Sequence, residues 1–340
     1  MHDAGDRNHR ILLARVPVGL PVPEDFVADV TAIPTPGPGQ FLCRTIYLSL
    51  DPHVRALLRV GSAGLSRPAT GDVMTGEAVA QVTESRHPEY RQGDYVLVPS
   101  GWQQYALSSG RDVRKLDPAI APISTALGVL GLPGLTGYAG LLYLGQPKPD
   151  ETVVVSAATG GVGCTVGQVA RLVSARAIGI AGSAEKCDYA VRELGFVTCL
   201  NHRSPDFGHE LKRACPDGIS VYFDNTGGAV LTAALGLLAT HSRVILCGMA
   251  AAYSLESQPP GPSLLPIIAA RASVLGILAE DYLPYLPELI RVVGGWIRAG
   301  RFRYREDISD GLANAPAAFA RLLRGENFGK AIVRIAPERL

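Results

Sequence analysis

The chain has no C-x-x-C pair, and its six cysteines (Cys43, Cys164, Cys187, Cys199, Cys215 and Cys247) are scattered. In a chain long enough to fold without covalent staples, that pattern excludes a disulfide framework, and the thiols are expected to be reduced and mostly buried. Charge of one sign is equally scarce. There are 32 basic against 31 acidic side chains and 19% charged residues, which leaves no broad field for nucleic acid or an anionic membrane. No apolar run approaches the ~20 residues that span a bilayer. The opening Met1-His2-Asp3-Ala4-Gly5-Asp6-Arg7-Asn8-His9-Arg10 is polar and lacks the apolar core of a signal peptide. These absences point to a cytoplasmic protein whose partner is a small molecule.

What is present is length and apolar patterning. At 340 residues with 47% hydrophobic side chains, two cores are expected, since single cores stop growing near roughly 250–300 residues. Up to about residue 122, short β-branched runs such as 41–47 and 78–82 alternate with turn signals such as Gln92-Gly93-Asp94, the texture of a small β-barrel or sandwich. From 123 the pattern changes to apolar strands alternating with helices. Strands are expected at 152–156, 177–181, 198–200, 219–223 and 243–246, and a sixth near 274–277. Six such strands predict a doubly wound parallel sheet. After 295 a helix around 315–323 and a last strand at 331–335 resemble the front half again. The expected organisation is therefore 1–122, an inserted α/β domain at 123–295, and a return at 296–340. The Pro-rich stretch Gln258-Pro259-Pro260-Gly261-Pro262 is open between a lid and a dimer edge.

The sharpest chemistry lies at Val155-Ser156-Ala157-Ala158-Thr159-Gly160-Gly161-Val162-Gly163, where a strand enters a glycine turn and then an apolar helix running from Gly163 to about Val173. The run fits the G-x-G-x-x-G dinucleotide fingerprint with Ala158, Gly160 and Gly163 in its three slots. Gly160 admits the pyrophosphate to the backbone, Gly163 allows close helix–strand packing, and the helix N-terminus offers free N–H groups to phosphate. The alternative is an ordinary strand-to-helix turn, disfavoured by the βαβ units that follow.

The second strand selects the cofactor. A site for NAD wants an acidic residue about 20 positions past the turn, whereas here the strand ends in Gly182-Ser183. That neutral end leaves room for a 2′-phosphate, to which Ser183 offers a hydroxyl and Lys186 and Arg203 offer charge. NADP is preferred over NAD. The competing view is that both basic residues are simply solvated.

Four runs then look familiar: 131–140 (GLPGLTGYAG), 157–163, 179–186 (GIAGSAEK) and 222–228 (YFDNTGG). Together, and in order, they resemble the zinc-independent medium-chain dehydrogenases/reductases, within which the match is to the leukotriene B4 12-hydroxydehydrogenase/prostaglandin reductase group that includes alkenal double-bond reductases. The resemblance extends from Leu48-Ser49-Leu50-Asp51-Pro52 to Asn327-Phe328-Gly329-Lys330. It implies an α/β fold in which a Rossmann domain interrupts a GroES-like β-barrel catalytic domain, usually as a homodimer. It also implies NADPH-dependent reduction of the C=C bond of α,β-unsaturated aldehydes and ketones.

Zinc alcohol dehydrogenases of this superfamily need a histidine in a Gly-His-Glu turn, because zinc polarises the alcohol oxygen through three N/S ligands. The equivalent turn here reads Thr75-Gly76-Glu77. An enone needs no metal: hydride arrives at the β-carbon, charge moves to the carbonyl oxygen, and a hydrogen-bond donor there suffices. Tyr253, in Cys247-Gly248-Met249-Ala250-Ala251-Ala252-Tyr253, follows the fifth strand and matches the family's active-site tyrosine. The same resemblance implies cofactor contacts at Asn225, Cys247, Gly248, Thr136 and Asn327, of which Thr136 otherwise reads as a packing residue and Asn327 as a turn residue.

Two departures stand out. Relatives commonly have a tyrosine where this chain has His53, in Asp51-Pro52-His53-Val54-Arg55; the histidine either donates a proton or merely shapes the pocket. Relatives often have a tyrosine against the adenosine phosphate where this chain has His202. Trp102 and Tyr105 are expected in the barrel core. Rival functions are a quinone reductase of the same architecture and a nucleotide-binding protein whose chemistry has lapsed.

Overall fold

A computed structural model describes residues 7–58, 68–257 and 260–338. Gln258 and Pro259 of the Pro-rich stretch lie outside the described residues. The described residues form two compact units, one lying within 1–127, 306–327 and 331–340, the other within 128–305 and 328–330.

In the first unit, β1 (Arg7–Leu13) and β2 (Phe26–Ala32) form an antiparallel ribbon that the sequence patterning does not announce. The central strand is β3 (Phe41–Ser49), buried along nearly its whole length because its side chains enter separate core clusters, Phe41 and Cys43 one, Ile46 another and Leu48 a third. After it come α1 (Pro52–Leu57), β4 (Ala78–Ser85), β5 (Tyr95–Val98), β6 (Tyr105–Ser108) and β7 (Arg114–Leu116). β3 pairs antiparallel with β4 along one edge and with β6 on the other through Phe41–Arg44. Two register shifts against β4 bend it, as bulges do.

The second unit opens with α2 (Leu132–Ala139), then β8 (Thr152–Ser156), α3 (Gly161–Leu172), β9 (Arg176–Ala181), α4 (Ala184–Arg192), β10 (Thr198–Asn201) and α5 (Phe207–Ala214). It continues with β11 (Ile219–Asp224), α6 (Gly228–Leu235), β12 (Leu238–Leu246), α7 (Leu265–Ala270), β13 (Ser273–Gly276) and α8 (Leu286–Arg298). Its six strands run in the order β10-β9-β8-β11-β12-β13, and every pair is parallel. This is the doubly wound Rossmann order, with its switch point between β8 and β11. β8 is buried at all five residues because helices cover both faces, which is why it reads as a continuous β-branched run. On one face Val154, Ile178, Ile180, Tyr222 and Val244 form a core with Leu211, Leu231 and Ala234. Each such aliphatic side chain contributes about 1.5–3 kcal/mol by leaving water.

The chain then returns to the first unit through β14 (Glu306–Asp310), α9 (Ala315–Leu323) and β15 (Lys330–Arg334), which pairs with the end of β3. The two units divide after 127 and after 305, both later in the chain than the expected 122 and 295. Ile123, Ala126 and Leu127 pack with Ile46, Val79 and Leu97 of the first unit's sheet. At the other boundary the Gln168 side chain of α3 bonds both the carbonyl and the amide of Arg303, each at 2.8 Å, holding 299–305 to the second unit. Trp102 sits in the first unit's core, stacked on Phe26 at 5.6 Å and edge-on to Phe319 at 5.7 Å. Tyr105, expected beside it, is half-buried at the start of β6, where its amide bonds the Asn8 side chain. All six thiols are free; Cys199 and Cys247 are partly exposed and the other four buried.

Candidate functional site

β8 ends at Ser156, and Ala157 takes a left-handed turn (φ 52°) that redirects the chain. Gly160 N–H bonds back to the Ala157 carbonyl at 3.0 Å, and Ala158 N–H bonds Ile180 of β9 at 3.0 Å. The left-handed residue of the turn is Ala157, which precedes Ala158 of the first slot. Ala158 is fully buried with its amide already paired, so it packs beneath the turn instead of offering an amide to a ligand. At Gly163 a Cβ would lie 2.3 Å from the Ala157 carbonyl oxygen, so a side chain is excluded by the turn itself. At Gly160 a Cβ would meet nothing closer than 3.4 Å, which leaves that backbone open to an approaching group.

α3 begins two residues earlier than expected. Cys164 is the first amide to bond into it, to Gly160 at 2.9 Å, and the amides of Gly161, Val162 and Gly163 have no acceptor among the described residues. Three free N–H groups on the positive end of a twelve-residue helix suit phosphate. Thr159 is buried within the turn, while Gly161 and Val162 are half-buried. α2 packs on this helix closely: a Cβ at Gly137 would lie 2.7 Å from the Val162 carbonyl. Its neighbour Thr136, buried, donates its hydroxyl to Leu132 four residues back at 2.7 Å.

The ends of β11 and β12 meet around Asp224, fully buried beside β8. Its carboxyl accepts from Ser156 Oγ (3.0 Å), Tyr222 Oη (2.9 Å), Thr226 N (3.1 Å) and Gly227 N (3.0 Å). Its carbonyl accepts the amides of Cys247 (2.9 Å) and Gly248 (3.2 Å). Asn225 is held to Ser156 through both its amide (2.8 Å) and its side-chain nitrogen (2.7 Å), leaving its buried Oδ1 unpaired. Neither Ser156 nor Asp224 stands out in the sequence, where the available signal is an acid closing an apolar strand.

Tyr253 closes this group. Its hydroxyl lies against Gly248, where a Cβ would be 3.2 Å away, and accepts the Met249 N–H at 3.0 Å. The phenol's own proton is therefore directed elsewhere. Burial raises its pKa above the ordinary phenol value, the Met249 amide opposes the rise, and Cys247 and Asp224 add to it. The group is a neutral donor throughout the physiological range.

At the end of β9, Ser183 caps α4 by accepting the Lys186 amide at 3.3 Å. His202 and Arg203 approach from the end of β10: a Cβ at Gly182 would lie 3.4 Å from His202 Nε2 and 3.8 Å from Arg203 Nε. Gly182, Ser183, Lys186, His202 and Arg203 are brought together, and their basic character suits a phosphate. The open Gly160 backbone and the free helix amides likewise fit the anionic part of a dinucleotide, while the orphaned Asn225 Oδ1 is left to accept from a hydroxyl or amide donor of such a ligand.

His53 and Asn327 belong to the first unit. His53 is exposed on the first turn of α1, and Asn327 is half-buried between α9 and β15. Among the described residues no group of three or more His, Cys, Asp or Glu side chains is placed to hold a metal ion. No helix there is long and apolar enough to cross a membrane.

A parallel doubly wound sheet whose first strand runs into such a turn defines a dinucleotide-binding oxidoreductase architecture. Residues 9–116 match the family model described as the N-terminal domain of oxidoreductase, and 161–293 match that of zinc-binding dehydrogenase. The chain is 47% identical to the NADPH-dependent curcumin reductase of Escherichia coli (strain K12), covering 97% of each. It is 36% identical to the 2-alkenal reductase (NADP(+)-dependent) of Nicotiana tabacum, over 97% of this chain and 98% of the other. The crystal structure of CurA in complex with NADPH from Vibrio vulnificus superposes with a TM-score of 0.92 at 41% identity, covering 97% of this chain and 100% of that one. The protein belongs to the zinc-independent medium-chain dehydrogenases/reductases.

Proposed function

We propose that this protein reduces the C=C bond of α,β-unsaturated aldehydes or ketones with NADPH. The observation that carries the reading is the end-to-end likeness to reductases of two conjugated carbonyl classes, a curcumin and the 2-alkenals. The bound cofactor supplies hydride. The chain's own residues do the rest: the Gly160–Gly163 turn and α3 hold the pyrophosphate, Gly182, Ser183, Lys186, His202 and Arg203 surround the 2′-phosphate, and Asn225, Cys247, Gly248 and Thr136 flank the nicotinamide end. Tyr253 donates to the substrate carbonyl oxygen, where charge develops when the β-carbon is reduced; a fixed neutral donor stabilises that charge without reorganising. His53, as donor or as a shaping side chain, and Asn327, near the nicotinamide end, complete the assignment.

The protein is further proposed to be a homodimer. β13 is an edge strand with one neighbour, and its Val274 is exposed. Nearby in sequence, Leu265 and Ile268 are 72% and 70% exposed. An unpaired apolar edge of this kind is suited to a second copy of itself. Six free thiols favour a reducing compartment, and the cytoplasm is the proposed location.

NADPH absorbance followed on a panel of linear enals, enones and a benzoquinone tests the activity. Consumption with the enals and enones, faster than with the quinone, is expected. Preferential quinone turnover would make the protein a quinone reductase, and NADPH binding without consumption on any of them would make it a lapsed enzyme.

A further inference from the structure

A histidine just after β10 lies among cations beside the end of β9. His202 donates its amide to the Ala181 carbonyl at 3.0 Å, which fixes its backbone beside the strand end, and Arg203 N is tied to Asn201 Oδ1 at 3.0 Å. Its imidazole Nε2 lies over Gly182, the small residue that leaves the strand end open, with the Arg203 guanidinium beside it. Lys186, in the first turn of α4, also acts on the ring electrostatically. Of the acids on adjoining elements, Glu210 of α5 takes the Ser204 hydroxyl at 3.5 Å and Glu185 of α4 is exposed. The charges acting on the ring are Arg203 and Lys186, both positive.

Partial desolvation, then Arg203, then Lys186, hold the imidazole below its ordinary value, so the free ring is neutral at neutral pH. A phosphate brings about −1.5 to −2 charges to the cluster at pH 7, with a second pKa of about 6. That charge offsets the two cations and favours the protonated ring.

We propose that His202 makes the choice of the phosphorylated over the unphosphorylated dinucleotide proton-linked: the ring takes up a proton when the 2′-phosphate docks, and takes up none when the 2′-position bears only hydroxyl. The inference rests on reading this strand end as the 2′-phosphate site. Its sign follows from linkage. A group whose pKa is higher in the complex than in the free protein adds affinity that is full at low pH and is lost as pH rises through the value in the complex. The phosphate's own titration runs the other way and is complete above about pH 7, so the two effects separate between pH 7 and 8.5.

The test is calorimetric titration of the whole protein with NADPH and with NADH at pH 7.5, in two buffers of different ionisation enthalpy, for wild type, His202→Gln and Arg203→Ala. Wild type is expected to take up a substantial fraction of one proton with NADPH and none with NADH. Its NADPH affinity should fall between pH 7 and 8.5, by up to about tenfold per pH unit at the limit of one proton. His202→Gln, a change at an exposed position, should abolish the uptake and flatten the profile while NADPH stays preferred. If wild type prefers NADPH yet takes up no proton, or if His202→Gln keeps the uptake, the inference about His202 is overturned and the phosphate site stands. If wild type shows no preference for NADPH and Arg203→Ala changes neither affinity, the phosphate site itself is wrong.

Discussion

Ser156 and Asp224, on adjacent parallel strands, lie 3.0 Å apart from hydroxyl to carboxyl and are both fully buried. Through this pair the end of β8 is joined to the ends of β11 and β12, because Ser156 also accepts the Asn225 amide and Asp224 receives the Cys247 and Gly248 amides. The three strand ends flanking the glycine turn are thus set by one hydrogen-bonded group, with no solvent to substitute for a missing partner.

Removing the carboxyl orphans several buried donors at once. Each unsatisfied buried group costs about 1–3 kcal/mol, so Asp224→Ala should lower the melting temperature by roughly 5 °C or more, at about 2–4 °C per kcal/mol for a domain of this size. Ser156→Ala, which loses fewer partners, should cost less. Thermal melts of the two variants check this; an Asp224→Ala protein melting within a degree of wild type would refute it.

Two glycines of one turn should behave oppositely. At Gly163 an alanine methyl would press 2.3 Å into the Ala157 carbonyl, so Gly163→Ala is expected to destabilise the protein by about 1–3 kcal/mol, as overpacking does. Gly160→Ala finds open space, with its nearest neighbour at 3.4 Å, and should fold normally but bind NADPH weakly. Melting curves beside fluorescence titration separate the two. Equal NADPH affinity in Gly160→Ala and wild type would remove Gly160 from the cofactor site.

β8 falls where the Thr-Val-Val-Val-Ser run placed it, since a strand covered on both faces needs unbroken β-branched residues. β12 begins at Leu238, five residues before the expected Arg243, because the polar stretch Thr240-His241-Ser242 interrupts its apolar signal; His241 has φ 60° there, and the register against β11 shifts. The basic character of the β9 end was legible from Gly182, Lys186 and Arg203. The Asp224 hub was not, because hydrogen bonds among residues about 70 positions apart leave no periodicity.

Tyr253→Phe removes the donor without changing the ring. Turnover on enones should fall about 10²-fold or more, the loss seen when one oxyanion donor is deleted, while NADPH affinity changes little. Because burial raises the phenol's pKa, no decline in wild-type rate from its ionisation is expected below about pH 10. Steady-state rates from pH 6 to 9.5 test both points; full activity in the phenylalanine variant would end the proposed role.

A charge on the exposed edge strand should split a dimer. Val274→Asp places a carboxylate in the centre of β13, and paired across a twofold it would face its own copy. Light scattering after size exclusion is expected to show wild type at twice the chain mass and the variant at once. A monomeric wild type rules out the homodimer.

An enzyme of conjugated carbonyls must resist them, since enones alkylate thiolates. Cys247, six residues before Tyr253 and partly exposed, is pushed up to about 12 by burial first and by Asp224 second. An acid whose pKa is raised stays protonated until the pH approaches that value, so at pH 7.5 the thiolate fraction is on the order of 10⁻⁴ to 10⁻⁵. Cys187 is the contrast: a hydrogen bond from the Cys199 thiol lowers its pKa and raises that of Cys199. Incubation with excess 2-alkenal at pH 7.5 without NADPH, followed by peptide mass spectrometry, should therefore leave Cys247 unmodified and give any adduct first at Cys187. An adduct on Cys247 formed as fast as on free cysteine would mean that its surroundings do not hold the thiol neutral, and the electrostatic account of this strand end would have to change.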